Sequence, residues 1–342
     1  MKDGFPDRAP RYQRNDTLES VLETLNAALA PGAGTLIEDG GQPDGPVGLI
    51  VGNPRSGTTL LLQWLGYNGY FSYPTNLISR FYAAPAAGAL VQKMLCDPAL
   101  RYKDELAEEI AVPDYSSDLG KTAGLLGANP FWYFWRRFFP SEPTNHIPPN
   151  RWPADKARRF AAEIATLEAA LARPFAMKAL YLNWNIAELA GALPNALFFH
   201  VTREPVFAVQ SLLEARRRFN GDAAAWWGMK PPQYAELLGK EAVEQAAATV
   251  RLTDLAIEDA LDRAPACNVF RVRYETLCEQ PETVFESLKS HLRDHFGYAL
   301  PDAYAGPARF DHTRDIRLSP EEIRRFEAEW ALHDRAAMQG AA

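Results

Sequence analysis

A glycine-containing loop between an apolar run and an apolar helix limits most strongly how this chain can fold. Residues 48–61 read GLIVGNPRSGTTLL. A strand, a tight loop and a helix N-terminus together direct backbone N–H groups and the helix dipole at an anion. Gly52 and Gly57 keep the spacing of the nucleotide-triphosphatase loop G-x-x-x-x-G-K-[ST], but Thr58 stands where that loop requires lysine. Because Arg55 supplies a fork of donors inside the loop instead, we predict an anion site that differs from the ATP–magnesium pattern.

Strand-like apolar runs alternate with helical segments along much of the chain. Predicted strands cover 47–51, 174–180, 195–205 and 268–275, and 71–75 is a shorter candidate. Buried apolar strands that alternate with helices are typical of a parallel sheet covered on both faces. We therefore predict an α/β protein with a three-layer P-loop-type fold around a central parallel sheet.

The range 76–172 has a different character, since it is helix-rich and broken by several prolines. We interpret 1–342 as a single domain and 76–172 as a helical insertion that covers the cleft on the acceptor side. The insertion contains an aromatic and basic block, FWYFWRRFF, at 131–139. Either this block lines an acceptor pocket, where Arg136 or Arg137 meets an anion, or it supplies core aromatics and solvated arginines.

Composition excludes several classes of protein. The formal net charge is −7, from 36 basic and 43 acidic residues, so no basic excess is available for general nucleic-acid binding. The three cysteines are widely spaced and fit no metal-binding pattern. No stretch approaches the ~20 apolar residues of a membrane span, and the N-terminus lacks the apolar core of a signal peptide. We expect a cytoplasmic protein with no bound metal, no nucleic-acid partner and no membrane span, and the oligomeric state stays open.

A second anion-binding signal lies in the segment HVTREPVFAVQSLLEAR. Arg203 follows a predicted buried strand, and Ser211 falls on the first turns of the next helix. The carboxyl ends of strands line the ligand crevice in an open parallel sheet. Arg203 and the loop at 52–59 are therefore expected to face the same crevice, where Arg203 and Ser211 suit a second phosphate.

Taken in order, NPRSGTTLL, FFHVTREPVFAVQSL and RVRYETLCEQPETVFESL resemble the PAPS-dependent sulfotransferase family. These enzymes move a sulfuryl group from 3′-phosphoadenosine 5′-phosphosulfate (PAPS) to a hydroxyl or amine. The resemblance covers roughly 47–80 and 174–290. It implies that Arg203 and Ser211 bind the 3′-phosphate and that Tyr274 lies by the adenine. It also implies a phosphosulfate loop made of Arg55, Ser56, Gly57, Thr58 and Thr59.

The chain departs from the family pattern where a catalytic histidine is often found. Many members carry a Lys-Thr-His segment, and the matching stretch here is Lys178-Ala179-Leu180. Other members use a glutamate soon after the first helix, but YPTNLISRFY has no acid, and Leu60 replaces a frequent tryptophan. The resemblance keeps Lys178 as a catalytic residue directed at the transferring group and leaves the general base to another residue.

Candidates for that base come mainly from the insertion. His146 in NHIPPN is the first, Asp114 and Asp118 in PDYSSDLGK are others, and His312 near the C-terminus stays open. A histidine is the side chain whose ordinary pKa suits proton transfer near neutral pH. His200 lies inside an apolar strand, and we interpret it as a core histidine with its hydrogen bonds satisfied.

The expected function is sulfuryl transfer from PAPS, without a metal, to a hydroxyl or amine of a carbohydrate or small-metabolite acceptor. Two alternatives remain from the residues themselves. A P-loop kinase of a small molecule requires a G-K-[ST] sequence and an acidic magnesium ligand, and the first is missing. A non-catalytic phosphonucleotide-binding module requires no acceptor pocket.

Overall fold

A four-stranded parallel sheet forms the centre of the protein in a computed structural model, which describes residues 8–37, 41–97, 99–100, 114–139, 143–148 and 151–340. The strands are β1 (Val47–Gly52), β2 (Ala176–Lys178), β3 (Ala196–Thr202) and β4 (Val269–Arg273). Their spatial order is β2-β1-β3-β4, and each neighbouring pair runs parallel. The carboxyl ends of all strands therefore meet at one edge, as the sequence predicts.

Helices cover both faces of the sheet. The α-helices are α1 (Asp16–Leu29), α2 (Thr58–Tyr67), α3 (Pro85–Cys96), α4 (Trp132–Phe138), α5 (Ala154–Leu171), α6 (Ile186–Ala192), α7 (Pro205–Asn220), α8 (Tyr234–Leu237), α9 (Ala242–Asp262), α10 (Tyr274–Glu279), α11 (Pro281–Phe296) and α12 (Pro320–Gly340). Short 3-10 helices cover Pro10–Tyr12, Ala30–Leu36, Ile78–Phe81, Leu180–Leu182 and Ala266–Asn268. None of the helices in the described ranges is long and apolar enough to cross a membrane.

The alternation of side chains along the central strands explains the three layers. In β1, Leu49 and Val51 point into one core cluster, which includes residues of α4, α5, α6 and α9. Ile50 points to the opposite face, into a cluster with residues of α2, α10 and α11. Because every residue of β1 is buried, the strand is apolar throughout rather than alternating. The predicted three-layer α/β fold is confirmed.

All predicted strands but the first are shorter in the structure, and two of them differ most. Only Ala176–Lys178 of the range 174–180 forms a strand, and 71–75 contributes single bridges, from Ser72 to Phe175 and from Thr75 to Ala128. Prolines at positions 74 and 174 lack the N–H group that a continuing ladder requires.

The range 76–172 contains α3, α4 and α5, and parts of it lie outside the described residues. Helix α4 packs into the main core through Phe134 and Trp135, which are fully buried. The helical character predicted for this range is therefore found in its described part. Its role as a separate acceptor-side cap stays a prediction.

Candidate active site

The loop after β1 turns sharply out of the sheet. Gly52 has φ +145°, and a Cβ there would lie 2.5 Å from the carbonyl oxygen of Val201 on the neighbouring strand. Arg55 also has a positive φ, of 72°, which is uncommon for a residue with a side chain. Strained backbone of this kind is concentrated at ligand-binding sites, where the surrounding structure holds it in place.

Hydrogen bonds within the loop, and between the loop and the residues packed against it, fix its shape. The Ser56 hydroxyl donates to the Asn53 carbonyl at 2.7 Å, so it is used within the loop. The Asn53 amide donates to the Asp254 carboxyl group on α9 at 2.6 Å, and the Asn183 amide donates to the Gly52 carbonyl at 2.9 Å. Burial raises the pKa of Asp254 to about 7. The loop is thus attached both to the helical layer and to the segment that follows β2.

A cavity of about 720 Å³ opens at the carboxyl ends of the strands. It is lined at the loop by Arg55, Gly57, Thr58, Thr59, Lys178, Arg203 and Tyr274. A smaller cavity of about 250 Å³ shares Arg55, Arg203 and Tyr274 with it and adds Ser211 and Arg317. Another cavity, of about 730 Å³, lies near Pro46 and Pro174 at the amino ends of β1 and β2, away from these residues. The predicted anion-binding residues therefore converge on the strand edge that the topology favours for ligands.

Arg55 connects the loop to the segment that carries the second anion signal. Its Nε donates to the Ser211 hydroxyl oxygen at 3.1 Å. Its backbone carbonyl accepts a hydrogen bond from Arg203 Nη1 at 2.9 Å. Burial, followed by the positive charge of Arg203, lowers the pKa of Arg55. Two guanidinium groups are therefore held side by side, an arrangement that an anion between or beside them stabilises.

Tyr274 packs directly against the loop and against Arg203. The Arg203 guanidinium carbon lies 4.7 Å from the centre of the Tyr274 ring, within the range of a cation–π contact. Gly57 has φ +96°, and a Cβ there would lie 2.1 Å from the tyrosine ring. Only glycine fits this position while the ring keeps its place. The ring and the loop thus form a single wall of the cavity.

Lys178 is the last residue of β2, and its side chain is buried. Its Nζ donates to the Thr59 hydroxyl oxygen at 2.8 Å, and its backbone carbonyl accepts from Trp135 Nε1 at 2.8 Å. Burial and then the charge of Arg55 lower the pKa of Lys178 to about 7. The ammonium group therefore gains or loses its proton near neutral pH, and an anion in the cavity favours the charged form.

Within the described ranges, no carboxylate forms an ion pair with Arg55, Lys178 or Arg203. The Nε of Arg203 is buried and has no hydrogen-bond partner there. Buried cations without a counter-ion are costly unless a ligand supplies the negative charge. The geometry is therefore that of a site for a compound with more than one anionic group.

The model of the sulfotransferase family matches residues 46–296 of this sequence. The chain belongs to the sulfotransferase family. Its fold is similar to that of sulfotransferase STF1 from Mycobacterium tuberculosis H37Rv, at 13% identity and a TM-score of 0.50, over 93% of this chain and 80% of that one. Sulfotransferase STF9 from Mycobacterium avium matches at 15% identity and a TM-score of 0.48, over 97% of this chain and 79% of that one. Curated proteins gave no significant sequence match.

The two histidines considered as the base of this sulfotransferase lie apart from the reacting end of the cavity. His146 is half-buried in the segment 143–148 and is not among the described residues that line the cavity. The His312 ring nitrogen Nε2 lies 3.0 Å from a carboxylate oxygen of Glu279, and the ring stands edge-on to Tyr274. Neither side chain is brought next to Lys178 and Thr59.

The two aspartates proposed from the insertion of the sulfotransferase are also engaged elsewhere. Asp114 is exposed, and its carboxylate accepts hydrogen bonds from Ser116, which lower its pKa. The Asp118 carboxylate pairs with Arg218 at 2.6 Å and with Arg11 at 3.1 Å. Among the described residues that line the cavity, the acidic one is Asp311, which is exposed and which the sequence patterns did not single out.

His200 is buried in the core as predicted, but the expected hydrogen bonds are not found. Neither ring nitrogen has a partner among the described residues. Burial and the neighbouring charge of Arg271 lower the pKa of His200 to about 4. Its neighbours across the sheet are Val51 and Arg271. The ring is therefore buried in its neutral form without hydrogen-bond partners among the described residues, which corrects the interpretation of a satisfied histidine.

The aromatic and basic block of this sulfotransferase divides into core and cavity residues. Phe134 and Trp135 are buried in the core, whereas Trp132 and Arg136 line the cavity. Arg137 points the other way and forms two hydrogen bonds with Glu163, at 2.6 and 2.7 Å. Part of the block is therefore core and part lines a cavity, Arg137 is paired rather than solvated, and the contact of Arg136 with an acceptor anion stays a prediction.

Further lining residues come from segments that carry no recognisable motif. The lining outside the loop and its anion-binding partners includes Lys121, Tyr181, Phe219, Trp227 and Phe310. They belong to loops or helix ends from five separate parts of the chain. The available sequence signal was the predicted end of the strand at 174–180, which places only Tyr181 next to the cavity.

Proposed function

We propose that this sulfotransferase transfers a sulfuryl group from PAPS to a hydroxyl group of a small-molecule acceptor. The observation that carries the proposal is the convergence of Arg55, Lys178 and Arg203 on two connected cavities without a paired carboxylate. PAPS has two separate anionic parts, the 5′-phosphosulfate and the 3′-phosphate. The larger cavity with its loop suits the first, and the smaller cavity suits the second.

In this proposal the loop and the start of α2 hold the 5′-phosphosulfate. Backbone N–H groups at a helix N-terminus and the Thr58 and Thr59 hydroxyls donate to it, and Arg55 adds its charge. Arg203 and Ser211 hold the 3′-phosphate, and the free Nε of Arg203 supports this assignment. Tyr274 forms the wall on which the adenine rests.

PAPS supplies the sulfuryl group. As the bond from sulfur to the bridging oxygen breaks, negative charge grows on that oxygen, and the protein has to stabilise it. We assign this task to Arg55, which lies in the loop, and to the protonated form of Lys178, which donates a hydrogen bond to Thr59. Fixed charges in a site that excludes water often make the largest single contribution to catalysis. The hydrogen bond from Lys178 to Thr59 keeps the ammonium group aligned with the helix N-terminus.

We choose the candidate for the general base, which removes the proton from the acceptor, by whether the residue lines the cavity. The described lining contains no histidine, and its one carboxylate is that of Asp311. We therefore place Asp311 before His146 as the group to test, by single-turnover rates against pH for Asp311→Asn and His146→Ala. Loss of the acid limb of the pH profile in only one variant assigns the base to that residue.

The decisive measurement has two parts. Calorimetry should show that the protein binds adenosine 3′,5′-bisphosphate more tightly than AMP, and mass spectrometry of acceptor-library reactions with PAPS should show products heavier by one sulfuryl group. Equal affinity for the two nucleotides would rule out PAPS as the donor.

The rival functions predict different results in the same assays. A small-molecule kinase would give phosphorylated products with ATP and magnesium, and its loop lysine is replaced here by Thr58. A non-catalytic binding module would bind the bisphosphate and give no product with any acceptor. Family membership and the large cavity beyond the loop favour sulfuryl transfer over both.

A further inference from the structure

We infer that the acceptor of this enzyme is itself an anion: a hydroxylated compound with a flat apolar body and a carboxylate or another oxyanion group. The inference rests on the proposed function, and it concerns the end of the cavity beyond the donor loop. Lys121 and Arg136 line that end together with several aromatic side chains.

Neither Lys121, which is exposed, nor Arg136 has an ion-pair partner among the described residues. Arg136 is half-buried, and its Nε is buried with no hydrogen-bond partner. Lys121 follows Gly120, where a Cβ would lie 3.3 Å from the Thr59 hydroxyl oxygen and 3.7 Å from Lys178 Nζ. The chain around Lys121 therefore passes directly beside the position proposed for the transferring group.

Arg137, the next residue on the same helix, has a carboxylate partner, and this distinguishes it from Arg136. Arg137 pairs with Glu163, whose side chain is 1% exposed and which also accepts from Arg159 at 3.0 Å. Arg136 receives no such partner, although it follows the buried Trp135 that anchors α4 to the end of β2. A structural role explains Arg137, and a ligand explains Arg136.

Repulsion between the cations supports the same conclusion. Burial and then the charge of Arg8 lower the pKa of Lys121, and Arg136 is among the charges that lower the pKa of Arg8. The negative charge of Asp118 raises the pKa of Lys121, but the Asp118 carboxylate is already paired with Arg218. An anionic ligand relieves this repulsion, whereas a neutral ligand leaves it in place.

Aromatic side chains define the rest of the acceptor. The ring centres of Trp132 and Tyr181 are 6.2 Å apart, and those of Phe219 and Trp227 are 6.0 Å apart. Rings of this kind bury the faces of a planar or apolar body. Asp311 is the one carboxylate in the described lining, so the charge of the acceptor end is net positive.

The test uses three matched compounds: 6-hydroxy-2-naphthoate, 6-hydroxy-2-naphthalenesulfonate and the neutral 6-hydroxy-2-naphthamide. Each is titrated into the protein loaded with adenosine 3′,5′-bisphosphate. The two anions should bind about 10- to 100-fold more tightly than the amide, the range expected for hydrogen bonds to a charged group. The ratio of the carboxylate to the sulfonate shows which oxyanion the site prefers.

Arg136→Gln and Lys121→Gln should each remove most of this preference while the affinity for adenosine 3′,5′-bisphosphate stays unchanged. Arg158→Gln, an exposed charge on α5, is the matched control and should keep the preference. Equal binding of the three compounds, or no binding of any of them while the bisphosphate still binds, overturns the inference. If instead the bisphosphate binds no better than AMP, the proposed function fails, and the same titrations without nucleotide judge the anion preference separately.

Discussion

The two ends of the cavity hold their cations in different ways. At the donor end each cation is fixed by the protein: Arg55 by Ser211, Arg203 by the carbonyl of Arg55, and Lys178 by Thr59. At the acceptor end, Lys121 and Arg136 have no such side-chain hydrogen bonds within the described ranges.

This difference follows from the elements that carry the residues. The donor end is built from strand ends and from the loop and helix starts that follow them, and buried hydrogen bonds hold that loop rigid. The acceptor end is assembled from loops and from the half-buried face of the short helix α4. In the proposed function, a donor common to every turnover suits a fixed site, and an anionic acceptor would complete the other site with its own charge.

The largest expected effect tests the fixed end. Arg55→Ala should lower the turnover number by about 10²–10³-fold, as the loss of a fixed charge-stabilising donor does in other enzymes. Initial rates with saturating PAPS measure it, with Arg158→Ala as a control for the loss of a surface arginine. Near-normal turnover in Arg55→Ala would show that the charge at this position is not needed to stabilise the transition state.

A second prediction separates the two adjacent arginines of α4. Arg137→Gln removes the ion pair with the buried Glu163 carboxylate and should lower the free energy of unfolding by about 3 kcal/mol. Arg136→Gln should change it by less than about 0.5 kcal/mol, because no partner is lost. Urea denaturation monitored by circular dichroism measures the change in the free energy of unfolding for both variants. Similar losses in the two variants would mean that Arg136 also has a structural role.

A third prediction concerns the smaller cavity. Arg203→Ala should reduce the preference for adenosine 3′,5′-bisphosphate over AMP by about 10- to 100-fold, because a charged hydrogen bond to the 3′-phosphate is lost. Calorimetry with both nucleotides gives the ratio directly. Ser211→Ala, which removes a neutral hydroxyl, should have a smaller effect. An unchanged ratio in Arg203→Ala would move the 3′-phosphate to other residues.

The smallest expected effect is a pH dependence. The pKa of Lys178 is about 7 in the free protein, and a bound anion raises it. The charged form therefore dominates below pH 7, and affinity for adenosine 3′,5′-bisphosphate should fall, by less than about tenfold, as pH rises from 7 to 9. Calorimetry in buffers of different ionisation enthalpy should detect proton uptake on binding. Lys178→Met should abolish that uptake; uptake that persists in the variant would assign it to another group.

The sheet and the donor loop were predictable because their signals are local. Strand runs, the Gly52–Gly57 spacing and the Arg203–Ser211 spacing are each contained in a short segment, and strand topology then brings their residues to one edge. Ser56 shows the limit of this reasoning. Its place in the motif predicts a ligand contact, whereas its hydroxyl is bound to the carbonyl of Asn53.

The acceptor end was not predictable because its residues depend on packing between distant segments. The difference between Arg136 and Arg137 is set by the orientation of α4 and by the position of Glu163 on another helix. Lys121 and Trp227 lie in loops without a periodic pattern. The missing hydrogen bonds of His200 likewise depend on its neighbours in three dimensions, which the residues along the strand do not identify.

The contact between Gly57 and the Tyr274 ring restricts how this sequence can change. Any side chain at position 57 meets both a left-handed backbone and an aromatic ring 2.1 Å away. Replacing the tyrosine with a small residue would remove the second obstacle and leave the first. A side chain at position 57 is therefore compatible with this backbone only at a cost in strain, and only after the ring at position 274 has been replaced, so the two positions are expected to change in that order although they lie far apart in the chain.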